Sequence, residues 1–172
     1  EIYRCDWSSD VCSSDLFVES GGSRLPAERI DVAVMAQTLV DTAADNGADA
    51  TFHGLESLEI MARPVSVRRA LSNLIENALH YAGRVRVTVQ RVDGAAELQF
   101  DDDGPGIPAE RIDDVLQPFV RLDTARARDT PGMGLGLAIV RRAIQLDNGT
   151  LLLRNRPTGG LRVTVRFPLT TN

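Results

Sequence analysis

The sequence contains no lysine; all 19 of its basic residues are arginine. A phosphate-cradling loop of the G-x-x-x-x-G-K-[ST] kind is therefore impossible, and any phosphate must be held in another way. Cysteine is almost absent too, since Cys5 and Cys12 are the only two and both lie in the first sixteen residues. No second cysteine pair or histidine cluster exists to complete a zinc site with them. No apolar run approaches the ~20 residues that cross a bilayer, and the N-terminal residues lack the basic start and apolar core of a secretory signal. The expectation is a soluble chain without direct membrane contact. Excess positive charge is missing as well: 19 arginines stand against 24 Asp and Glu, a net −5 at pH 7. That balance gives no electrostatic reason to bind nucleic acid. What is present, 172 residues with 43% hydrophobic side chains and a mean hydropathy of −0.11, suits one well-cored globular domain. Collagen, coiled coil and wholesale disorder are excluded.

Residues 1–16 differ abruptly from the rest of the chain, holding both cysteines, the only Trp and a run of Ser and Asp. The string CDWSSDVCSSDL resembles translated sequencing-adapter read-through. The expectation is that residues 1–16 are not native and that the natural protein begins further upstream. Without them the chain has 20 acidic and 18 basic residues and no cysteine, so cysteine usage says nothing of the redox compartment.

From Phe17 to Pro26, with Gly21, Gly22 and Pro26, the chain reads as the end of a preceding element and a linker, giving a boundary at about residue 30. Asp31 then stands at a helix N-cap, followed by Val32, Met35, Leu39 and Ala43 at helical spacing and ended by Asn46-Gly47. Ala50 to His53 and Leu58 to Met61 are short strand candidates. In a second helix after Pro64, the residues Val67, Ala70, Leu71, Leu74, Ile75 and Ala78 form one apolar stripe. Arg84 to Val92 alternates, Asp93-Gly94 supplies a hairpin turn, and Ala96, Leu98 and Phe100 continue on an antiparallel return strand. A long Gly-, Pro-, Asp- and Arg-rich segment follows, interrupted by a short helix from about Pro108 to Leu116; such a segment is commonly functional. Leu137, Val140 and Ile144 mark a third helix, and 150–155 with 161–167 form a second hairpin. Six strands and three main helices predict an α+β fold, a two-layer sandwich.

Three polar elements interrupt this scaffold. Asn73, Asn77 and His80 fall at i, i+4 and i+7 of the second helix with Glu76 beside them, which taken alone is an ordinary solvated face. Two uncharged amides in register also suit a hard cation such as Mg²⁺. Asp101-Asp102-Asp103-Gly104-Pro105-Gly106-Ile107 is composed like a turn. It could equally bring backbone close to a ligand while a carboxylate accepts a hydrogen bond from an exocyclic amine. Gly132-Met133-Gly134-Leu135-Gly136 opens the third helix, where free N–H groups and the positive dipole end can face an anion; glycines there can also be mere flexibility.

In this order and spacing, the three elements resemble the ATP-binding domain of sensor histidine kinases, in the wider family that includes gyrase B, Hsp90 and MutL. Leu71 to Tyr81 looks like the family's N box, Asp102 to Ile107 its G1 box, Phe119-Val120-Arg121 with Asp123 to Arg126 its F box, and Gly132 to Leu137 its G2 box. The wording around Gln117 to Arg121 resembles osmosensing kinases of the EnvZ type. The resemblance implies a Bergerat-type fold, with a mixed sheet carrying three main helices on one face. It implies that Asn77 ligates Mg²⁺ between the ATP phosphates and that Asn73 stands where gyrase-like ATPases keep a water-activating glutamate. It further implies that Asp102 reads the adenine amine, with Gly104 and Gly106 shaping that wall and Tyr81 and Ile107 near the base or sugar. Gly132, Gly134, Leu135, Gly136 and Leu137 would wrap the phosphates. Residues 119–131 would form a lid in which Phe119 belongs to the F box and Arg121 and Arg126 either reach the phosphates or remain solvated. His80 occupies a position where many of these kinases have Lys or Arg, so a phosphate contact from it would depend on pH.

The same resemblance makes 31–172 the catalytic domain and 17–30 the tail of a dimerisation domain. It implies transfer of the ATP γ-phosphoryl group to a histidine on that separate domain, a response regulator downstream, and a cytoplasmic position in a parent anchored in the bacterial inner membrane. Neither His53 nor His80 fits the acceptor, because the family's acceptor lies in a helical His-Glu motif upstream. An ATPase of the gyrase or MutL type and a non-catalytic nucleotide-binding module remain as alternatives.

Overall fold

Asp31 starts the first helix as its sequence position predicts. In the computed structural model, which describes residues 25–112, 114–117 and 136–169, its Oδ1 accepts from the backbone N–H groups of Ala33 and Val34, both at 3.1 Å. The helix, α1, runs Val32–Asp45 and buries Val32, Ala33, Ala36 and Val40, with Met35, Leu39 and Ala43 packed partly against the core. The buried stripe is thus turned slightly from the expected one. Immediately before α1, between the expected linker and the Asp31 cap, a short strand that the sequence reading did not include, β1 (Glu28–Asp31), pairs antiparallel with β3 (Glu59–Ala62). The strand was not legible because four residues are too few for a period, and the pairing that stabilises it lies about thirty residues away.

Strand β2 (Asp49–Gly54) follows α1, and α2 (Pro64–Ala82) follows β3. Proline at the first helical position costs no hydrogen bond there, and Gly83, at φ +73°, ends α2 in the left-handed conformation. The buried residues of α2 are the six of the predicted stripe together with Ser66. The hairpin of β4 (Arg84–Val92) and β5 (Ala95–Asp101) turns on Asp93 and Gly94, both at positive φ, as the Asp-Gly signal predicts. Where a short helix was expected at 108–116, the described residues hold two separate 3₁₀ turns, Ala109–Arg111 and Asp114–Leu116. Helix α3 (Gly136–Leu146) and the hairpin of β6 (Thr150–Asn155) and β7 (Leu161–Pro168) complete the order.

The main sheet has five strands in the order β2-β4-β5-β7-β6, with β2 parallel to β4 and the other pairs antiparallel. Cross-strand register places Val87, Phe100, Val163 and Leu153 in one row and Val89, Leu98, Val165 and Leu151 in the next, all on one face. All of these except the partly buried Leu151 are buried, and α1, α2 and α3 pack on this side of the sheet. The result is the expected two-layer α+β sandwich. The opposite face carries polar rows, among them Arg86, Asp101, Arg162 and Arg154.

One polar clamp fixes α2 against α3. Asp147, buried just past the end of α3, accepts from the Arg63 backbone N–H at 3.1 Å and from Arg63 Nη1 at 2.6 Å. The same Nη1 donates to the carbonyl of Leu146 at 2.8 Å. The N-terminus of α2 and the C-terminus of α3 therefore satisfy each other's orphan groups. The two helices lie antiparallel, which carries the start of α3 toward the polar half of α2.

Candidate functional site

Asn73 and Asn77 are half-buried on α2, and Asn77 lies on the side turned to α3. At the first residue of α3, a β-carbon on Gly136 would lie 3.2 Å from Asn77 Nδ2 and 3.4 Å from its Oδ1, so helix backbone directly faces the amide. Asn73 Nδ2 is buried with no hydrogen-bond partner among the described residues. A buried unpaired amide is costly in a finished core and fits a group that completes its bonding when a ligand is bound. His80 and Tyr81 lie exposed at the end of α2, edge to face, with ring centroids 4.8 Å apart.

Asp101, Asp102 and Asp103 have three different environments. Asp101 takes both nitrogens of the Arg162 fork at 2.6 Å. Asp103 accepts from Arg156 at 2.7 Å and lies 3.6 Å from Arg84. The hydrogen bond from Arg156, backed by the charges of Arg156 and Arg84, holds its carboxyl below the usual aspartate value. Asp102 is buried, and its Oδ1 accepts from the backbone N–H groups of Gly104 at 2.9 Å and Leu161 at 3.0 Å. Its Oδ2 has no hydrogen-bond partner among the described residues. Of the three carboxylates, only the middle one is rigidly held and still has an oxygen to offer.

Gly104 brings this loop across the end of α2, where a β-carbon would meet Ala82 Cβ at 3.2 Å and the Tyr81 carbonyl at 3.6 Å. Gly106 is required on two counts: its φ is +72°, and a β-carbon would lie 2.5 Å from Asn155 Oδ1. Ile107 is buried, its N–H donating to Asn155 Oδ1 at 2.8 Å and its carbonyl accepting from Asn155 Nδ2 at 2.6 Å. The structure therefore brings Asn77 to Gly136, and Tyr81 with Ala82 to Gly104. Leu137 lies one residue into α3 and packs partly against the core. Phe119, Arg121, Arg126, Gly132, Gly134 and Leu135 lie outside the described residues.

Asn155, at the end of β6, and Arg156 and Gly160, in the β6–β7 turn, escaped the sequence reading. Their signal was present, since Asn155-Arg156-Pro157-Thr158-Gly159-Gly160 is longer and more polar than a hairpin connection needs. Which loop it serves follows only from the β5–β7 pairing. Among the described residues no group of three or more His, Cys, Asp or Glu could hold a metal ion. A cation such as Mg²⁺ here would draw most of its oxygens from water and from the ligand's own phosphates.

A five-stranded sheet covered by three helices, with amides, a half-free aspartate and a helix N-terminus gathered at one end, defines a nucleotide-binding α+β sandwich. The chain belongs to the histidine kinase-, DNA gyrase B- and HSP90-like ATPase family, whose model matches residues 62–171. Within that family it is of the sensor histidine kinase kind. It is 40% identical over 106 residues to sensor histidine kinase GtrS of Pseudomonas aeruginosa, covering 62% of this chain and 22% of GtrS. It is 38% identical over 111 residues to sensor histidine kinase CpxA of Escherichia coli, covering 64% of this chain and 24% of CpxA. The chain thus spans under a quarter of the length of these curated relatives. Its fold matches the histidine kinase domain of the E. coli osmosensor EnvZ with a TM-score of 0.66 and 32% identity, over 87% of this chain and 92% of that one.

Proposed function

We propose that the chain is the catalytic domain of a two-component sensor histidine kinase, binding Mg²⁺-ATP and passing the γ-phosphoryl group to a histidine on a separate dimerisation domain. The observation that carries this reading is the apposition of the Asn77 amide to the glycine start of α3, with the Asn73 Nδ2, unpaired among the described residues, one turn away. In the proposed roles, Asp102 Oδ2 accepts from the adenine amine while Gly104 and Gly106 let backbone approach the base. Asn77 offers an amide oxygen to the metal, and the first N–H groups of α3 face the phosphates. Mg²⁺, when bound, neutralises phosphate charge. Asn73 holds and orients but is a poor base, so water is not activated at this position; the residues favour transfer to a protein over hydrolysis. Binding and positioning, rather than a covalent intermediate on this domain, supply the catalysis.

On this reading residues 31–172 form the catalytic domain, 17–30 end the dimerisation domain, and residues 1–16 are foreign. A response regulator receives the phosphoryl group downstream, and the domain lies on the cytoplasmic side of a parent anchored in the bacterial inner membrane. Among the described residues no helix is long and apolar enough to cross a membrane. The test is calorimetric titration with ATP, with and without Mg²⁺, followed by incubation with ATP labelled at the γ-phosphate and the parent's dimerisation domain. Binding that tightens with Mg²⁺ and acid-labile label on the added domain are expected. Steady hydrolysis without transfer would establish the gyrase or MutL type of ATPase instead. Binding with neither transfer nor hydrolysis would leave a nucleotide-binding module.

A further inference from the structure

Asp102 is held from the β6–β7 turn as much as from its own loop. Its backbone N–H donates to the Leu161 carbonyl at 3.0 Å, and its side chain accepts from the Leu161 N–H at 3.0 Å. Its carbonyl accepts from Arg156 Nη1 at 2.6 Å, and the same nitrogen donates to Asp103 Oδ1 at 2.7 Å. The Arg156 side chain is only 16% exposed, and its Nε lies 4.0 Å from Asp101 Oδ2. The turn that carries Arg156 is itself closed, its N–H donating to the Gly160 carbonyl at 2.9 Å and its carbonyl accepting from Gly159 at 3.0 Å. Arg156 is thus a preorganised cation at the centre of three consecutive carboxylates, bonded to the backbone of the middle one and the side chain of the third.

We propose that Arg156 is a positioning residue that sets the purine selectivity of the nucleotide site. It aims Asp102 Oδ2 and keeps Asp103 from acting as a second, misplaced acceptor. The proposal rests on the reading of Asp102 as the contact to the base amine. A carboxylate held in one place accepts from the exocyclic amine of adenine and repels the carbonyl that hypoxanthine carries at the same ring position. Without Arg156 the Asp102 carbonyl loses its donor and Asp103 its hydrogen-bonded ion pair, keeping only the longer contact to Arg84 at 3.6 Å, so the 101–103 segment can shift and the distinction between amine and carbonyl blurs. Because both bonds come from a single nitrogen, a lysine ammonium can replace them, while a neutral side chain cannot neutralise Asp103.

The experiment measures the affinity of the full chain for ADP and for IDP by calorimetry, in wild type, Asp102→Asn, Arg156→Gln and Arg156→Lys, with the thermal midpoint of each. The expected result is a wild-type preference for ADP that falls about tenfold in Arg156→Gln, the scale of one charge-assisted hydrogen bond, and returns in Arg156→Lys. A purely structural role would lower the thermal midpoint and both affinities together, leaving their ratio fixed. An ADP to IDP ratio in Arg156→Gln within twofold of wild type overturns the proposal. If that variant does not fold, Arg156→Ala is judged by the same criterion. Absence of an ADP preference in wild type, or an unchanged preference in Asp102→Asn, would instead overturn the adenine reading of Asp102 itself.

Discussion

Three neighbouring aspartates with one charge and one shape perform different work because their partners differ. Asp101 and Asp103 are neutralised by Arg162 and Arg156, while Asp102 is bonded through a single oxygen to two backbone N–H groups. Asp102→Asn keeps an oxygen for those N–H groups and removes only the charge and the free acceptor, so it isolates binding from folding. ATP affinity should fall by about 1.5–3 kcal/mol, the range for a hydrogen bond to a charged group, with the thermal midpoint nearly unchanged; calorimetry and a melt together check this. Gly160 supports the same residue by having no side chain. At φ +85°, a β-carbon there would lie 1.9 Å from the Asp102 carbonyl oxygen. Gly160→Ala should combine a left-handed backbone penalty with displacement of the 102–104 loop, costing about 2–4 kcal/mol in urea unfolding.

Between elements, the clamp of Arg63 and Asp147 decides where α3 begins relative to Asn77, because it fixes the far ends of two antiparallel helices. The Asp147 side chain is 1% exposed and Arg63 24%, so removing the carboxylate strands a half-buried cation and an unpaired N–H. Asp147→Ala should destabilise the fold by about 3 kcal/mol and weaken nucleotide binding in the remaining folded protein, measurable by denaturation and by titration well below the midpoint. Local elements were readable where a short signal suffices: the Asp31 cap, the α2 stripe and the Asp93-Gly94 turn each rest on neighbouring residues. The parallel β2–β4 pairing, strand β1 and the clamp join segments thirty to more than eighty residues apart, and no local period encodes them. The 108–116 segment, expected as one short helix, forms two separate 3₁₀ turns instead. The candidate site was proposed from its polar motifs on α2 and after β5, which the fold brings toward one another at Gly104 and Gly136. The turn that braces it was not legible, because Asn155 and Arg156 meet the 102–107 loop only once β5 and β7 are paired.

For the molecule as a whole, stability in acid rests on carboxylates held ionised by the fold. Glu97 is almost fully buried on the polar face of the sheet; burial alone would raise its pKa, but hydrogen bonds from Gln90, Arg166 and Gln99 outweigh burial and hold it below the ordinary 4.5. At Asp31 burial likewise opposes, and bonds from the Leu58 N–H, Ser57 and the first N–H groups of α1 hold the carboxyl below 3.8. A group whose folded pKa is depressed contributes its full stabilisation above its unfolded value and loses it as pH falls through the folded value. The unfolding free energy should therefore carry no contribution to its pH slope from these groups above about pH 5. It should decline below their ordinary values of 4.5 and 3.8 as the unfolded chain takes up protons first. Glu97→Gln removes one titrating group from the sheet and leaves Asp31 at the cap. Urea unfolding from pH 3 to 7 should show the variant less stable than wild type at neutral pH, by about 1–3 kcal/mol, with a shallower decline in acid, so that the two curves converge. Parallel curves across the range would mean that Glu97 is not the group whose protonation weakens the sheet, and would shift the acid sensitivity to the other carboxyls held low, Asp31 at the cap of α1 and Asp103 beside Arg156.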